Sequence, residues 1–315
     1  MGRFRAPTLI LALVLATISS KLLVAYQDVI RAEVRLVPLL VTVKDTAGNL
    51  VGDLKKEDFK VFDNGVSQQI SVFERRTEQP LSVTLLVDTS GSTAKDLKYE
   101  TDSTARFLKA LLREGNNNDQ ASLYSFNWEV QLQSSFTRRL ARLEDKLHNL
   151  KAEGGTSLYD AVVFGCRDLE GRSGRHVVIV ITDGGDTTST WKYQDAIVSL
   201  HRADAIVFAI LVVPITNGAG RNIGGENALA TMTRDTGGRV FTPAVGSAMD
   251  QAFEDILRAL RTQYLIGYYP RNIPPTGDRF HRVKVEGPRP GLQVSTRSGY
   301  YGSSDQAARY NAGRN

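Results

Sequence analysis

The sequence predicts an α/β fold: a doubly wound, mostly parallel sheet inserted between amino- and carboxy-terminal β segments that form one β-sandwich-like module. The first observation is a set of continuous apolar runs at residues 82–87, 121–126, 177–181 and 205–213. Unbroken Val, Ile and Leu runs suit strands covered on both faces. The second is helical spacing between those runs, because strands alternating with helices build a parallel sheet. The third is a change of style on both sides, where short runs are separated by Gly, Asn and Asp turns.

In chain order, Arg3 and Arg5 precede an apolar stretch at 8–18, followed by Ser19, Ser20 and Lys21. That order reads as a secretory signal, since a spanning helix needs about 20 apolar residues. Extension through Leu22, Leu23, Val24 and Ala25 would instead make an uncleaved anchor. Residues 1–25 are therefore expected to be a signal or an anchor, and the rest is expected outside the cytoplasm, secreted, periplasmic or on the envelope.

Residues 28–78 are expected to be β. Val41-Thr42-Val43, the turn Asp45 to Gly48, Phe59-Lys60-Val61-Phe62, the turn Asp63-Asn64-Gly65 and Ile70 to Phe73 follow one another. Asn-Gly between short runs is a hairpin signal. The α/β domain is expected over 79–262. Helical spacing there joins Leu97, Ala105, Leu108 and Leu112, then Leu140, Leu143, Leu147 and Leu150, and recurs at 161–169, 196–200 and 249–260.

Residues 263–302 return to β style, with Val283 and Val285 on one face against Arg282, Lys284 and Glu286 on the other. Each flank alone is too small for a stable sheet, so the flanks are expected to pair. The polar tail 303–315 is expected to be disordered.

Composition excludes some classes. Lys and Arg number 39 against 34 Asp and Glu, a net charge of +5. The basic residues are scattered rather than striped with aromatics, so no nucleic-acid partner is expected. Cys166 is the one cysteine. It permits no intrachain disulfide and reads as a core thiol.

Asp88-Thr89-Ser90-Gly91-Ser92 sits where the first apolar run ends. A carboxylate and hydroxyls without His or Cys select a hard cation, Mg2+, Mn2+ or Ca2+, over zinc. In open parallel sheets ligands bind beyond the carboxyl ends of the strands. Gly154-Gly155-Thr156-Ser157 and Thr182-Asp183-Gly184-Gly185-Asp186 are expected to reach the same edge, adding a hydroxyl and a carboxylate.

Asp88-x-Ser90-x-Ser92, then Thr156, then Asp183, resembles the metal-ion-dependent adhesion site of von Willebrand factor type A domains, which are Rossmann-like. The resemblance covers somewhat more than half the chain. It implies that Ser90 and Ser92 bind the metal directly, Thr156 directly or through water, and Asp88 and Asp183 largely through water. The flanks, with Gly52-Asp53-Leu54, Glu57-Asp58-Phe59 and Tyr264 to Tyr268, resemble secreted bacterial proteins related to this domain, abundant in acidobacteria.

Neutral hydroxyl ligands leave a divalent cation undercompensated, which favours a carboxylate from a protein partner. A binding or adhesion protein, not an enzyme, is the expected role. The alternatives are a metal-dependent hydrolase, or an assembly subunit whose contacts do not use the metal. A hydrolase needs a placed base, and His148, His176, His201 and His281 read as surface or structural. Asp186 reads as either a loop carboxylate or a support for the site. Asp160 reads as orienting the loop or solvating a helix start. Trp128 and Trp191 read as core-edge or partner contacts, and the Gly/Asn-rich stretch 217–225 as a loop beside the site.

Overall fold

The computed structural model describes residues 36–212, 222–243, 247–274 and 279–302. The signal or anchor, the polar tail and residues 217–221 of the Gly/Asn-rich stretch lie outside the described residues.

Strand β1 (Val37–Lys44) alternates inward Val37, Leu39, Val41 and Val43 with less buried neighbours. A 3-10 turn at Lys56–Asp58 leads to β2 (Lys60–Asp63) and β3 (Val66–Gln68), followed by β4 (Ile70–Arg75). Asn64 and Gly65 join β2 to β3 with φ of 46° and 81°, both in the left-handed region that a tight hairpin requires. The expected hairpin partner, 70–73, goes elsewhere: β4 pairs with a strand contributed after the α/β layer.

That layer opens with β5 (Leu81–Asp88), followed by α1 (Leu97–Glu114), β6 (Gln120–Phe126) and β7 (Val130–Thr137). Next come α2 (Leu140–His148), α3 (Leu158–Arg167), β8 (Arg175–Thr182), α4 (Tyr193–Arg202) and β9 (Ala205–Leu211). Helix α5 (Ile223–Thr236), β10 (Arg239–Phe241) and α6 (Ser247–Thr262) complete it. The sheet order is β10-β9-β8-β5-β6-β7, parallel except for the β6–β7 hairpin.

Alternation fixes which helices lie on which face. Leu81, Val83, Leu85 and Val87 join Val177, Ile179 and Ile181 under α1, α2 and α6. Leu86, Val178 and Val180 face α3, α4 and α5, where Cys166 is buried. Burial raises the Cys166 thiol pKa, in keeping with an inert core residue.

Helix α5 begins inside the stretch expected to be loop. Its two glycines weaken the helical signal, but the Asn222 side chain accepts the Gly225 N–H at 2.9 Å and Gly237 closes the far end at φ 87°. Those caps satisfy end groups that propensity leaves open.

After α6 a single residue, Gln263, precedes β11 (Tyr264–Tyr268); β12 (Phe280–Glu286), β13 (Gln293–Ser295) and β14 (Gly299–Tyr301) follow. One flank sheet runs β13-β1-β11-β4 and the other β14-β12-β2-β3. Leu39, Val41 and Ile266 from the first pack with Val61, Val283 and Val285 from the second in one apolar core. The α/β layer is thus an insertion into a two-sheet module whose strands come from both ends of the chain.

Candidate functional site

Parallel pairing of β5 with β8 places their carboxyl ends side by side, with Val87 opposite Ile181. The loops that leave them are laced together. Within the first, the Ser90 N–H donates to Asp88 Oδ1 at 2.8 Å, and the Ser90 and Ser92 hydroxyls lie 3.0 Å apart. Ser92 belongs to a 3-10 turn, Gly91–Lys95, and its side chain caps no helix.

The loop before α3 is tied to it by Glu153 N–H to Thr89 O at 2.8 Å and Gly91 N–H to Gly154 O at 3.0 Å. The loop after β8 is tied in turn to Thr156: the Thr187 N–H donates to Thr156 O at 2.8 Å, and the Thr156 N–H donates to Thr187 Oγ1 at 2.9 Å. Asp88, Ser90, Ser92, Thr156 and Asp183 therefore all sit on one edge of the sheet.

Asp88 is fully buried at the end of β5. Thr182 Oγ1 donates to Asp88 Oδ2 at 2.6 Å and accepts the Gly184 N–H at 3.1 Å. Burial pushes the Asp88 carboxyl up to about 6 despite the Thr182 and Ser90 hydrogen bonds, and the nearby charge of Asp183 adds to the rise.

The two acids left open by the sequence hold loops in place. Asp186 Oδ1 accepts the Tyr159 N–H at 3.2 Å at the start of α3, and Asp160 accepts the Thr190 and Trp191 N–H groups at 3.1 and 2.7 Å. Trp128 is 52% exposed beside the site. A Cβ on Gly154 would stand 2.0 Å from its ring, so the indole rests directly on that loop. Trp191 is exposed as well, stacked under Arg167.

None of the histidines is a base for this edge. His176 begins β8 at the opposite end and touches the Ala203 and Arg172 carbonyls. His201 ends α4 against Phe280, His148 pairs with Asp102, and His281 contacts Asp63.

Sequence reasoning missed Thr182 and Glu100. Thr182 was visible only as the residue before Asp183. Glu100 falls three residues after Leu97 and four before Thr104 on the buried face of α1, so an acid on an apolar stripe was its signal. Both Glu100 carboxylate oxygens are buried without a hydrogen-bond partner.

The residues present fit a hard divalent cation. Their donors are hydroxyl and carboxylate oxygens, the ligand chemistry such ions prefer. Among the described residues no group of three or more His, Cys, Asp or Glu side chains is placed to hold a metal. A cation here therefore depends on the hydroxyls of Ser90, Ser92 and Thr156.

No curated protein matches the sequence. The solved structures it is similar to include a von Willebrand factor type A protein from Catenulispora acidiphila, 11% identical over 88% of this chain and 76% of that one, with a TM-score of 0.49. The vWF domain of the type V pili tip protein Mfa5 from Porphyromonas gingivalis is 25% identical over 35% of this chain, with a TM-score of 0.34. The PilB minor pilin from Streptococcus sanguinis is 14% identical over 60%, with a TM-score of 0.45. The chain spans 40% of the Mfa5 chain and 63% of the PilB chain. A family model for the von Willebrand factor type A domain matches residues 82–256, more than half the sequence and nearly all of the layer from β5 to α6. By that match, and by the parallel sheet whose edge gathers the loops, the chain belongs to the von Willebrand factor type A domain family.

Proposed function

We propose that this chain is a binding protein, exposed outside the cytoplasm, that engages protein partners through a divalent cation. Asp88, Ser90, Ser92, Thr156 and Asp183 would hold the ion, Mg2+ first, with Mn2+ or Ca2+ as alternatives. The observation that carries the reading is the lacing of these residues' three loops onto one edge by the Glu153, Gly91 and Thr187 backbone hydrogen bonds. When bound, the cation supplies a position for an anionic oxygen, which an Asp or Glu of the partner would fill.

The chain's own residues fix that edge before a partner arrives. Thr182 and the Ser90 N–H orient Asp88, while Thr187 sets the Thr156 backbone. Exposed Trp128 offers apolar contact beside the ion, of the kind that anchors protein interfaces. Residues 79–262 carry the site, and 1–25 would serve as an export signal or as an anchor. Among the described residues no helix is long and apolar enough to cross a membrane.

Calorimetric titration of Mg2+ and Mn2+ into wild type and Asp88→Ala tests the site: binding by wild type alone is expected, and equal binding by both overturns it. Capture from an envelope extract with and without chelator tests the role. Loss of the partner in chelator is expected. A partner retained in chelator points to the assembly-subunit alternative, and metal-dependent turnover of phosphoester or peptide substrates to the hydrolase.

A further inference from the structure

Two guanidiniums are enclosed where the flank strands meet the amino-terminal ends of β8 and β9, and only one has a counter-ion. Arg297 pairs with Asp204 and donates from Nη2 to the Pro38 carbonyl at 2.7 Å. Arg175, the first residue of β8, is 5% exposed and makes no ion pair among the described residues. Its Nε donates to the Gln79 carbonyl at 3.0 Å and its Nη1 to the Leu260 carbonyl at 2.5 Å, with Gln263 Oε1 further from Nη1 at 3.5 Å. Nη2 meets no acceptor among the described residues. Arg297 Nε is sealed without a partner, whereas Arg175 Nη2 is not sealed, and the space it borders is a cavity.

The end of α6 accounts for part of this arrangement. Leu260 lies in its last turn, and a cation beside the last carbonyls of a helix is favourable. Carbonyls bring no full charge, however, and they occupy Nε and Nη1 only. Burial lowers the Arg175 pKa to about 10, and the charge of Asp119 works against that fall. Asp119 already accepts the Leu81 and Asn116 N–H groups at 2.8 Å each. A buried cation is stable where a counter-charge and further acceptors complete it, and what the fold sets beside Nη2 is open volume.

The cavity measures about 70 Å³. Leu40 and Leu265, cross-strand partners on β1 and β11, line it together with Leu200 and Ile206. Its ionisable lining is Arg175, His176, His201, Asp204 and Arg297. Asp204 is matched to Arg297, both His176 ring nitrogens face carbonyl oxygens, and burial keeps His201 neutral by holding its pKa down to about 4. The charge left uncompensated is that of Arg175. At about 30 Å³ per water the space holds about two waters, which would satisfy Nη2 but not its charge. A carboxylate does both, since its oxygens match the guanidinium fork, and the leucine walls suit a short alkyl end. We propose that this cavity is a binding site for a short monocarboxylate of about the size of acetate, its oxygens accepting from Arg175 Nη2 and its alkyl end lying against Leu40 and Leu265. The site is at the end of β8 remote from the oxygen-rich loops and does not depend on the cation reading. Because Arg175 also holds the last turn of α6, an acid bound there braces the point of insertion.

Thermal unfolding of the full chain at neutral pH tests this, with sodium acetate exchanged for sodium chloride at constant ionic strength and acetamide as the neutral isostere. Chelator is present throughout, so that no cation at the loops can hold acetate. Acetate is expected to raise the wild-type melting temperature saturably, by about 3 °C, and acetamide to leave it unchanged. Arg175→Met removes the charge and keeps an unbranched chain. Leu40 packs against the α/β core and not the flank core, so Leu40→Phe fills the cavity without entering the sandwich. Both variants are expected to lose the acetate effect. Should Arg175→Met not fold, Leu40→Phe decides alone, since it keeps the guanidinium and its carbonyl contacts. A wild type indifferent to acetate has a cavity filled by water, which overturns the inference. An equal rise in chloride, or an acetate effect that survives Leu40→Phe, overturns it as well.

Discussion

The Tyr268 hydroxyl, on the strand that follows the α/β layer in the chain, donates to the Asp63 carboxylate at 2.8 Å across a sequence separation of 205 residues. Tyr300 donates to the same oxygen. Burial and these contacts raise both tyrosine pKa values. One carboxylate thus ties β2 to strands from the far end of the chain. Asp63→Ala leaves the hydroxyls without their acceptor and is expected to lower the unfolding free energy by about 3 kcal/mol, and Tyr268→Phe by about 1–2 kcal/mol. Chemical denaturation measures both; losses below about 0.5 kcal/mol for Asp63→Ala would show that the flank sheets are joined by apolar packing alone.

His201 is 7% exposed, and burial, with Arg297 next, holds its pKa down to about 4 against an ordinary 6.5. Asp204, Asp235 and the Gly299 backbone pull the other way, and Arg175 and His176 line the same cavity of about 70 Å³. The unfolded chain therefore binds this proton more tightly. Stability is unaffected above about pH 6.5 and falls as pH drops toward 4, by up to about 3 kcal/mol. Glu100 and Asp88, with raised pKa values, act in the opposite sense. The readout is accordingly the difference between wild type and His201→Gln from pH 7 to 4, expected to shrink on acidification; a difference that stays constant rejects the assignment.

Thr182→Val removes the donor to Asp88 and the acceptor of the Gly184 N–H in one change of nearly constant volume. Mn2+ affinity is expected to fall several-fold and stability in chelator by about 1–2 kcal/mol. Calorimetry and denaturation read the two effects separately, and an unaltered affinity would mean that Asp88 is aimed by Ser90 alone.

Gly225→Ala tests the loop after β8 without touching any proposed ligand. A Cβ at Gly225 would stand 1.8 Å from the Gly184 carbonyl oxygen, a backbone atom with nowhere to go. The loop carrying Asp183 must shift, so a tenfold or greater loss of Mn2+ affinity is expected, whereas Ala at exposed Gly48, where φ is 85° but a Cβ meets nothing, is expected to cost about 1–2 kcal/mol of stability and leave the affinity unchanged. Normal affinity in the Gly225 variant would show that Asp183 is not needed.

The parallel sheet was legible because its strands are apolar on both faces, and the oxygen-rich loops because Asp88, Thr156 and Asp183 each follow such a strand or precede a helix. What escaped was set by tertiary context. Ile70 to Phe73 looked like the return of a hairpin, yet β11 outcompetes β2 for it. The β7 run carries polar residues on a solvent-facing edge and gave no apolar signal. Helix α5 was hidden by Gly224 and Gly225, the second of which packs directly against the Gly184 loop. Glu100 and Thr182 draw their interest from neighbours distant in sequence, which no local pattern reveals.

The junction between α6 and β11 has a mechanical corollary. Gln263, the one residue between them, is itself fixed: its carbonyl accepts the Thr77 N–H, while Arg175 grips the Leu260 carbonyl one turn earlier. Helix and strand are thus spliced with no slack. An axial slide of α6 cannot be taken up in a linker and must shear the ladders that β11 makes with β1 and β4. Tension applied to the flank sheets would be felt along the helix by the same route, making the insertion point a rigid coupling instead of a hinge.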